Sequence, residues 1–194
     1  MERIHIPRRL ALGLGTAALL AGTLASPAIA ANIVTQEITG GGLTASVADL
    51  TLPSAAFQNA AHDVTGTMVL TAEDTRGDVI PGGWSTTIES SDFVWVGSAT
   101  DGANIPAANF ALTLAAAPSY VSGQAIDTTA ATGPQVPPTI AYGSLASPIK
   151  TLRATAAYGL GKYTQDLSVT LTIPAQSRAG TYTGTLTTTI SATP

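Results

Sequence analysis

Cysteine is absent from the 194-residue chain. That excludes a disulfide scaffold, a thiolate zinc site, an iron–sulfur cluster and a cysteine nucleophile. Charge is scarce as well: only 10% of residues are charged, 8 basic against 12 acidic, for a net −4. An acidic chain without a basic cluster lacks the face that neutralises phosphates, so nucleic acid is excluded as a partner. Aromatic residues make up 5%, yet hydrophobic residues reach 45%. That apolar fraction supplies a core and excludes a disordered chain. Glycine and proline, at 19 and 12, are near ordinary usage and serve as turn residues.

The first thirty residues read as an export signal. Arg3, Arg8 and Arg9 form a basic start, residues 10–25 carry no charge, and Pro27 breaks the apolar run. Ala28-Ile29-Ala30 supplies the small-x-small pattern of a cleavage site, which predicts cleavage after Ala30. Sixteen residues rich in Ala, Gly and Thr are short for a bilayer span, so a membrane anchor fits less well. The residues around Arg8-Arg9 suit general secretion better than twin-arginine export. Three of the eight basic and one of the twelve acidic residues leave with the signal; the remaining 164 carry five and eleven, net −6. These form one domain by length, secreted and not membrane-spanning in mature form. The ending TTTISATP shows no sorting motif or anchor tail, so attachment to a cell is expected to be non-covalent.

Apolar and polar residues alternate along most of residues 31–194. Short β-prone runs fall at 33–38 and 43–52, split by Gly40-Gly41-Gly42. Further alternating runs cover 64–72, 84–90, 109–115, 163–173 and 181–191. Val64, Gly66, Met68 and Leu70 share one face against Thr65, Thr67, Val69 and Thr71. Leu167, Val169, Leu171 and Ile173 oppose Asp166, Ser168, Thr170 and Thr172. Phe110, Leu112 and Leu114 fall in phase. Such alternation means half-buried strands. Gly133-Pro134 and Pro137-Pro138 bar regular helix from residues 115–147, which predicts a long irregular insertion with one short strand near 140–142. The fold class expected is all-β, an antiparallel β-sandwich of Ig-like or Greek-key type. The last run, 181–191, is expected as one long strand in a sheet middle or closing the sandwich.

Residues 70–77 (LTAEDTRG) and 83–93 (GWSTTIESSDF) resemble the first motif of the WxL-domain surface proteins of Gram-positive and related bacteria. In that motif a strand ending in D-x-R-G leads to a strand reading G-W-x-V-x-V-x-x-x-D-F. Asp74, Arg76, Gly77, Trp84 and Phe93 occupy the matching positions. IPAANF at 105–110 is similar to the I-P-A-x-N segment that follows. LTIPA at 171–175 and AGTYTGTLTTTI at 179–190 resemble the closing strand pair, with Gly180 and Tyr182 in it. The resemblance is divergent: Thr86 stands where the family has Leu or Val, and Thr188 where the second W-x-L motif has its Trp. It implies a secreted β-sandwich attached non-covalently to the cell wall, often through peptidoglycan, and often alongside other surface proteins. The motif residues themselves are expected to be structural.

Candidate contact residues are few. Trp84, in phase with Ile88, is expected in the core. Trp95, between Val94 and Val96 before a Gly/Asp loop, is either an exposed platform for a sugar ring or a cap on the core. Thr181, Thr183, Thr185, Thr187 and Thr189 form a hydroxyl row on one strand face. It suits simple solvation, a glycan, or a neighbouring subunit joined by strand pairing. Arg76-Gly77-Asp78 spells an integrin-type tripeptide but reads better as a turn in which Asp74 takes backbone hydrogen bonds and Arg76 pairs with a carboxylate. Glu73, Asp74 and Asp78 match no calcium loop. His62 is the sole histidine after residue 30 and no G-x-S-x-G occurs, so no enzyme, no metal and no cofactor are expected.

Overall fold

Two thirteen-residue strands, β2 (His62–Asp74) and β9 (Gly161–Ile173), pair antiparallel from end to end. Strict alternation makes this pairing unambiguous. Met68, Leu70 and Ala72 on one strand and Leu167, Val169 and Leu171 on the other all turn inward and are buried. A slip of one residue would expose the whole set. The computed structural model describes residues 36–77, 82–96, 104–129 and 132–193. The expected signal at 1–30 lies outside these, as do residues 33–35 of the first expected strand and Asp78. Residues 36–42 carry no strand. Ile38–Pro194 make one compact unit.

The larger sheet has the order β1-β2-β9-β5-β7, where β1 is Leu43–Val47, β5 Phe110–Ala115 and β7 Gly143–Ser144. β6 (Ser119–Gly123) continues beside β9 where β5 stops, so β5 and β6 together flank most of its length. Facing this sheet is a second one, β11-β3-β8, built from Leu186–Ser191, Trp84–Ser90 and Ile149–Ala154. A two-stranded extension pairs β4 (Val94–Trp95) with β10 (Tyr182–Thr183). All pairs are antiparallel, and no α-helix occurs among the described residues. The architecture is the all-β antiparallel sandwich expected from the alternation.

The two sheets meet over one core. Trp84 and Tyr163, both fully buried, face each other across it with ring centroids 6.3 Å apart. Phe110 and Phe93 meet edge to face at 5.2 Å. A narrow polar belt crosses the interior: Gln165 donates to the carbonyls of Ala116 and Thr151, and the Thr86 and Thr151 hydroxyls lie 3.1 Å apart. Tyr163 places its hydroxyl against the carbonyls of Gln124 and Leu160, at 2.7 and 2.9 Å.

Burial pushes the Tyr163 phenol up to about 12 from its usual 10.0, with the neighbouring Tyr120 and Asp74 adding to the effect. A folded-state value above the unfolded one means that the folded state holds the proton longer. The associated stability is complete below pH 10 and is lost as pH rises through 12. Chemical denaturation across this window should therefore show a fall of about 2 kcal/mol that the Tyr163→Phe variant lacks. An unchanged slope in that variant would refute the assignment.

Three sequence expectations need correction. The run 181–191 is two strands, since β10 and β11 lie in different sheets and break at Gly184 and Thr185. Ser91 causes the break by spending its backbone N–H on Thr185 O and accepting from Thr185 N–H with its hydroxyl. Of the two places expected for this run, a sheet middle or the closing edge of the sandwich, β11 takes the outermost position of its sheet, near β1 of the other. Leu114 is out of phase: a bulge between Leu112 and Leu114 turns it outward, 53% exposed, and brings Ala115 in. The stretch 115–147 is more regular than expected. It holds β6 and β7, and bridges Asp127 to Gly133 and Gln135 to Arg153, but its late strand falls at 143–144, past residues 140–142. β8 was not foreseen, because the irregularity in its pairing with β3 places Thr151 and Leu152 both inward and hides the period of two.

Candidate functional site

The outer face of the large sheet follows directly from its register. Opposite one another on β2 and β9 stand Thr65 and Thr170, Thr67 and Ser168, Val69 and Asp166, and Thr71 and Thr164. Ser46 on β1 extends the last of these rungs to a third strand. At one end the Thr172 hydroxyl donates to Asp63 at 2.6 Å; at the other Lys162 lies 3.8 Å from Glu73. Between these closed ends, the hydroxyls of Thr65, Thr67, Ser168 and Thr170 have no hydrogen-bond partner within the described protein. Strand geometry sets them about 4.8 Å apart across the strands and about 6.7 Å along them. The result is a hydroxyl-rich face, interrupted at the Val69–Asp166 rung and bounded by charged side chains at both ends.

The threonines singled out from sequence do not form a comparable row. Thr181, Thr183, Thr185, Thr187 and Thr189 are all exposed, but the break at Gly184 and Thr185 divides them between β10, a connector and the edge strand β11. The better-ordered array was visible in the sequence as outward positions of 64–72 and 163–173. Its joining into rungs depends on the pairing of strands about a hundred residues apart, which no local pattern specifies.

The motif residues hold the scaffold. Asp74 is 2% exposed and receives two hydrogen bonds from the Arg76 side chain, at 3.0 and 2.8 Å, and one from its backbone N–H. Arg76 also reaches the carbonyl of Gly83. With φ at +70°, Gly77 takes the chain out of this turn in a conformation that favours glycine. Trp84 donates its indole N–H to Gly159 O at 3.0 Å. Phe93 is half-buried, and Tyr182 donates to Arg178 O. Trp95 is half-buried. The Arg178 guanidinium lies 4.4 Å from its ring centroid, and Gly180 sits so close that a Cβ there would fall 2.1 Å from Nε1.

A cleft of about 600 Å³ opens between the β1–β2 connector and the β9–β10 connector. The β1–β2 connector crosses the open side of the sandwich as a strap. Leu50 and Leu52 turn inward and residues 53–60 are all exposed. Those two leucines rest on Gly66, where a Cβ would meet Leu52 at 2.7 Å and Leu50 at 3.2 Å. Gly66→Val should therefore overpack the site, costing about 1–3 kcal/mol. Limited proteolysis should then cut within 53–60 faster than in the parent protein; equal rates would show that the strap is held by something else.

His62 lines this cleft. Its Nδ1 is 3.4 Å from Ala60 O, while Nε2 is buried without a partner. The neighbouring Asp63 cannot serve it, since adjacent strand residues point to opposite faces, and Asp63 is engaged by Thr172. Glu73 and Asp74, weighed as cation ligands, are directed to Lys162 and Arg76. Among the described residues no group of three or more His, Asp or Glu is placed to hold a metal ion. Comparison with protein families, curated proteins and solved structures finds no match for this chain.

Proposed function

We propose that this chain is a non-catalytic secreted surface protein, WxL-like in kind, attached non-covalently to the cell wall or extracellular matrix. Its partner is a wall polymer such as peptidoglycan, with other surface proteins as neighbours. The observation that supports this most is the hydroxyl face of β2 and β9. A side-chain hydroxyl donates and accepts, so an array of them complements sugar hydroxyls of either polarity. Each net hydrogen bond contributes about 1 kcal/mol, so attachment rests on many weak contacts and is reversible. Purified protein should sediment with isolated sacculi at low salt and be released by denaturant. Failure to be retained, with a known wall binder as control, would refute this reading.

One feature favours a second reading, a fibre or surface-layer subunit. β1 and β11 are the terminal strands of their sheets, and a terminal strand offers backbone groups for pairing with another copy. This reading requires polymers in electron micrographs. A monomer at all concentrations tested would exclude it.

A further inference from the structure

β8 carries two cations that no carboxylate answers. Of the five basic residues after residue 30, Arg76 pairs with Asp74, Lys162 lies by Glu73, and Arg178 stacks over Trp95. The side chains of Lys150 and Arg153 make no hydrogen bond or ion pair among the described residues. Arg153 is half-buried, and its Nε is closed off from water without an acceptor. Holding a guanidinium partly out of water with no counter-charge is costly. Unlike Nε, the two terminal nitrogens are not closed off from water.

Residues three apart in a regular strand point to opposite faces. In β8 the irregularity opposite Thr86 and Thr87 turns Thr151 and Leu152 both inward, so Lys150 and Arg153 emerge on the same outer face. They stand at most about 10 Å apart along the strand. Thr87 is opposite Lys150 and pairs on its other side with Thr189 of β11, so two hydroxyls share that rung. Ser85 is opposite Arg153, but its hydroxyl donates to the Thr193 carbonyl. Gln135 flanks Arg153 through two backbone hydrogen bonds, which sets both side chains on one face, and its Nε2 is a second buried donor without an acceptor. The nearby carboxylates do not close the site. Glu89 lies past Lys150, opposite Thr187, and Asp127 accepts from Thr129. What results is a run of hydrogen-bond donors with local positive charge on an acidic chain.

We infer that this face of β8 binds an oxyanion group, phosphate or carboxylate, carried on a polymer, with Arg153 holding it through its terminal nitrogens and Lys150 neutralising it or its neighbour. A guanidinium fork matches such a group bidentately, and an ammonium acts as a point charge. The site lies on the small sheet, away from the hydroxyl face of β2 and β9, and does not depend on that face binding wall polymer.

The probes are sodium polyphosphate and poly-L-glutamate, each with a fluorescein at one end, titrated with the full chain at low salt and followed by anisotropy. At least one should bind saturably; tighter polyphosphate assigns the group as phosphate, tighter polyglutamate as carboxylate. Arg153→Gln should weaken binding by about tenfold or more, the loss of a charge-assisted pair. Lys150→Gln should weaken it by about threefold, as for an exposed ion pair. Arg153→Lys keeps the charge without the fork and should fall between the parent and Arg153→Gln. Lys162→Gln removes the same charge from the other sheet and should bind like the parent, as should the triple variant Thr65→Val, Thr67→Val, Thr170→Val. Urea midpoints report on the fold, and Lys150, which is exposed, keeps the test open should Arg153→Gln unfold. No saturable binding of either polymer would overturn the inference. Equal losses in Lys150→Gln and Lys162→Gln would overturn it too, since binding would then follow net charge alone.

Discussion

Replacing Asp74 with alanine should destabilise the folded protein by about 3 kcal/mol, which urea unfolding monitored by tryptophan fluorescence would measure. The Asp74 side chain is fully buried and that of Arg76 only 18% exposed, so this pair is not the weak surface kind. Two charge-assisted hydrogen bonds tie the side chains, and a third comes from the Arg76 backbone. Removing the carboxylate takes two charge-assisted hydrogen bonds from a guanidinium that is largely out of water. Arg76→Ala should cost a similar amount from the opposite side, by stranding the carboxylate. The double variant should lose clearly less than the sum, because each single change already removes the shared contact. A loss below about 1 kcal/mol for Asp74→Ala would place the pair with ordinary exposed ion pairs and remove its role in closing the turn after β2.

Trp84→Ala is expected to cost about 3–5 kcal/mol, the range for deleting a fully buried large aromatic side chain. Trp84 is 0% exposed and packs across the sandwich onto Tyr163, so the cavity would open between the two sheets. Trp84→Phe separates the contributions. It keeps most of the ring volume but leaves Gly159 O without its 3.0 Å donor, for about 1–2 kcal/mol. Gly159 has φ at +87°, and a Cβ there would lie 2.6 Å from the Trp84 nitrogen, so Gly159→Ala should also destabilise. Alanine at position 84 that leaves the urea midpoint unchanged would contradict the packing described here.

Much of the fold was legible because burial in a two-faced strand follows a period of two. The inward sets of β2, β3 and β9 were readable one by one, Trp84 included. Legibility failed where a backbone irregularity shifted that period. The bulge at Leu112 and Leu114 inverted the facing of Leu114, and a similar shift concealed β8. It failed again where a side chain replaced a ladder bond: Ser91 bonding to Thr185 divides a run whose alternation looks continuous. The hydroxyl face was half legible. Its threonines were placed outward correctly, but their assembly into rungs requires knowing that β2 pairs with β9. The cleft was not legible at all, since two connectors distant in sequence form it.

The most direct test of surface attachment removes hydroxyls from the β2–β9 face without changing its shape. In the triple variant Thr65→Val, Thr67→Val, Thr170→Val, each exchange is close to isosteric and keeps a β-branched side chain suited to a strand. Each lost hydrogen bond is worth about 1 kcal/mol, so retention on isolated sacculi should fall by about tenfold or more while the urea midpoint stays near that of the parent. Parent-level retention of a stably folded triple variant would contradict the account.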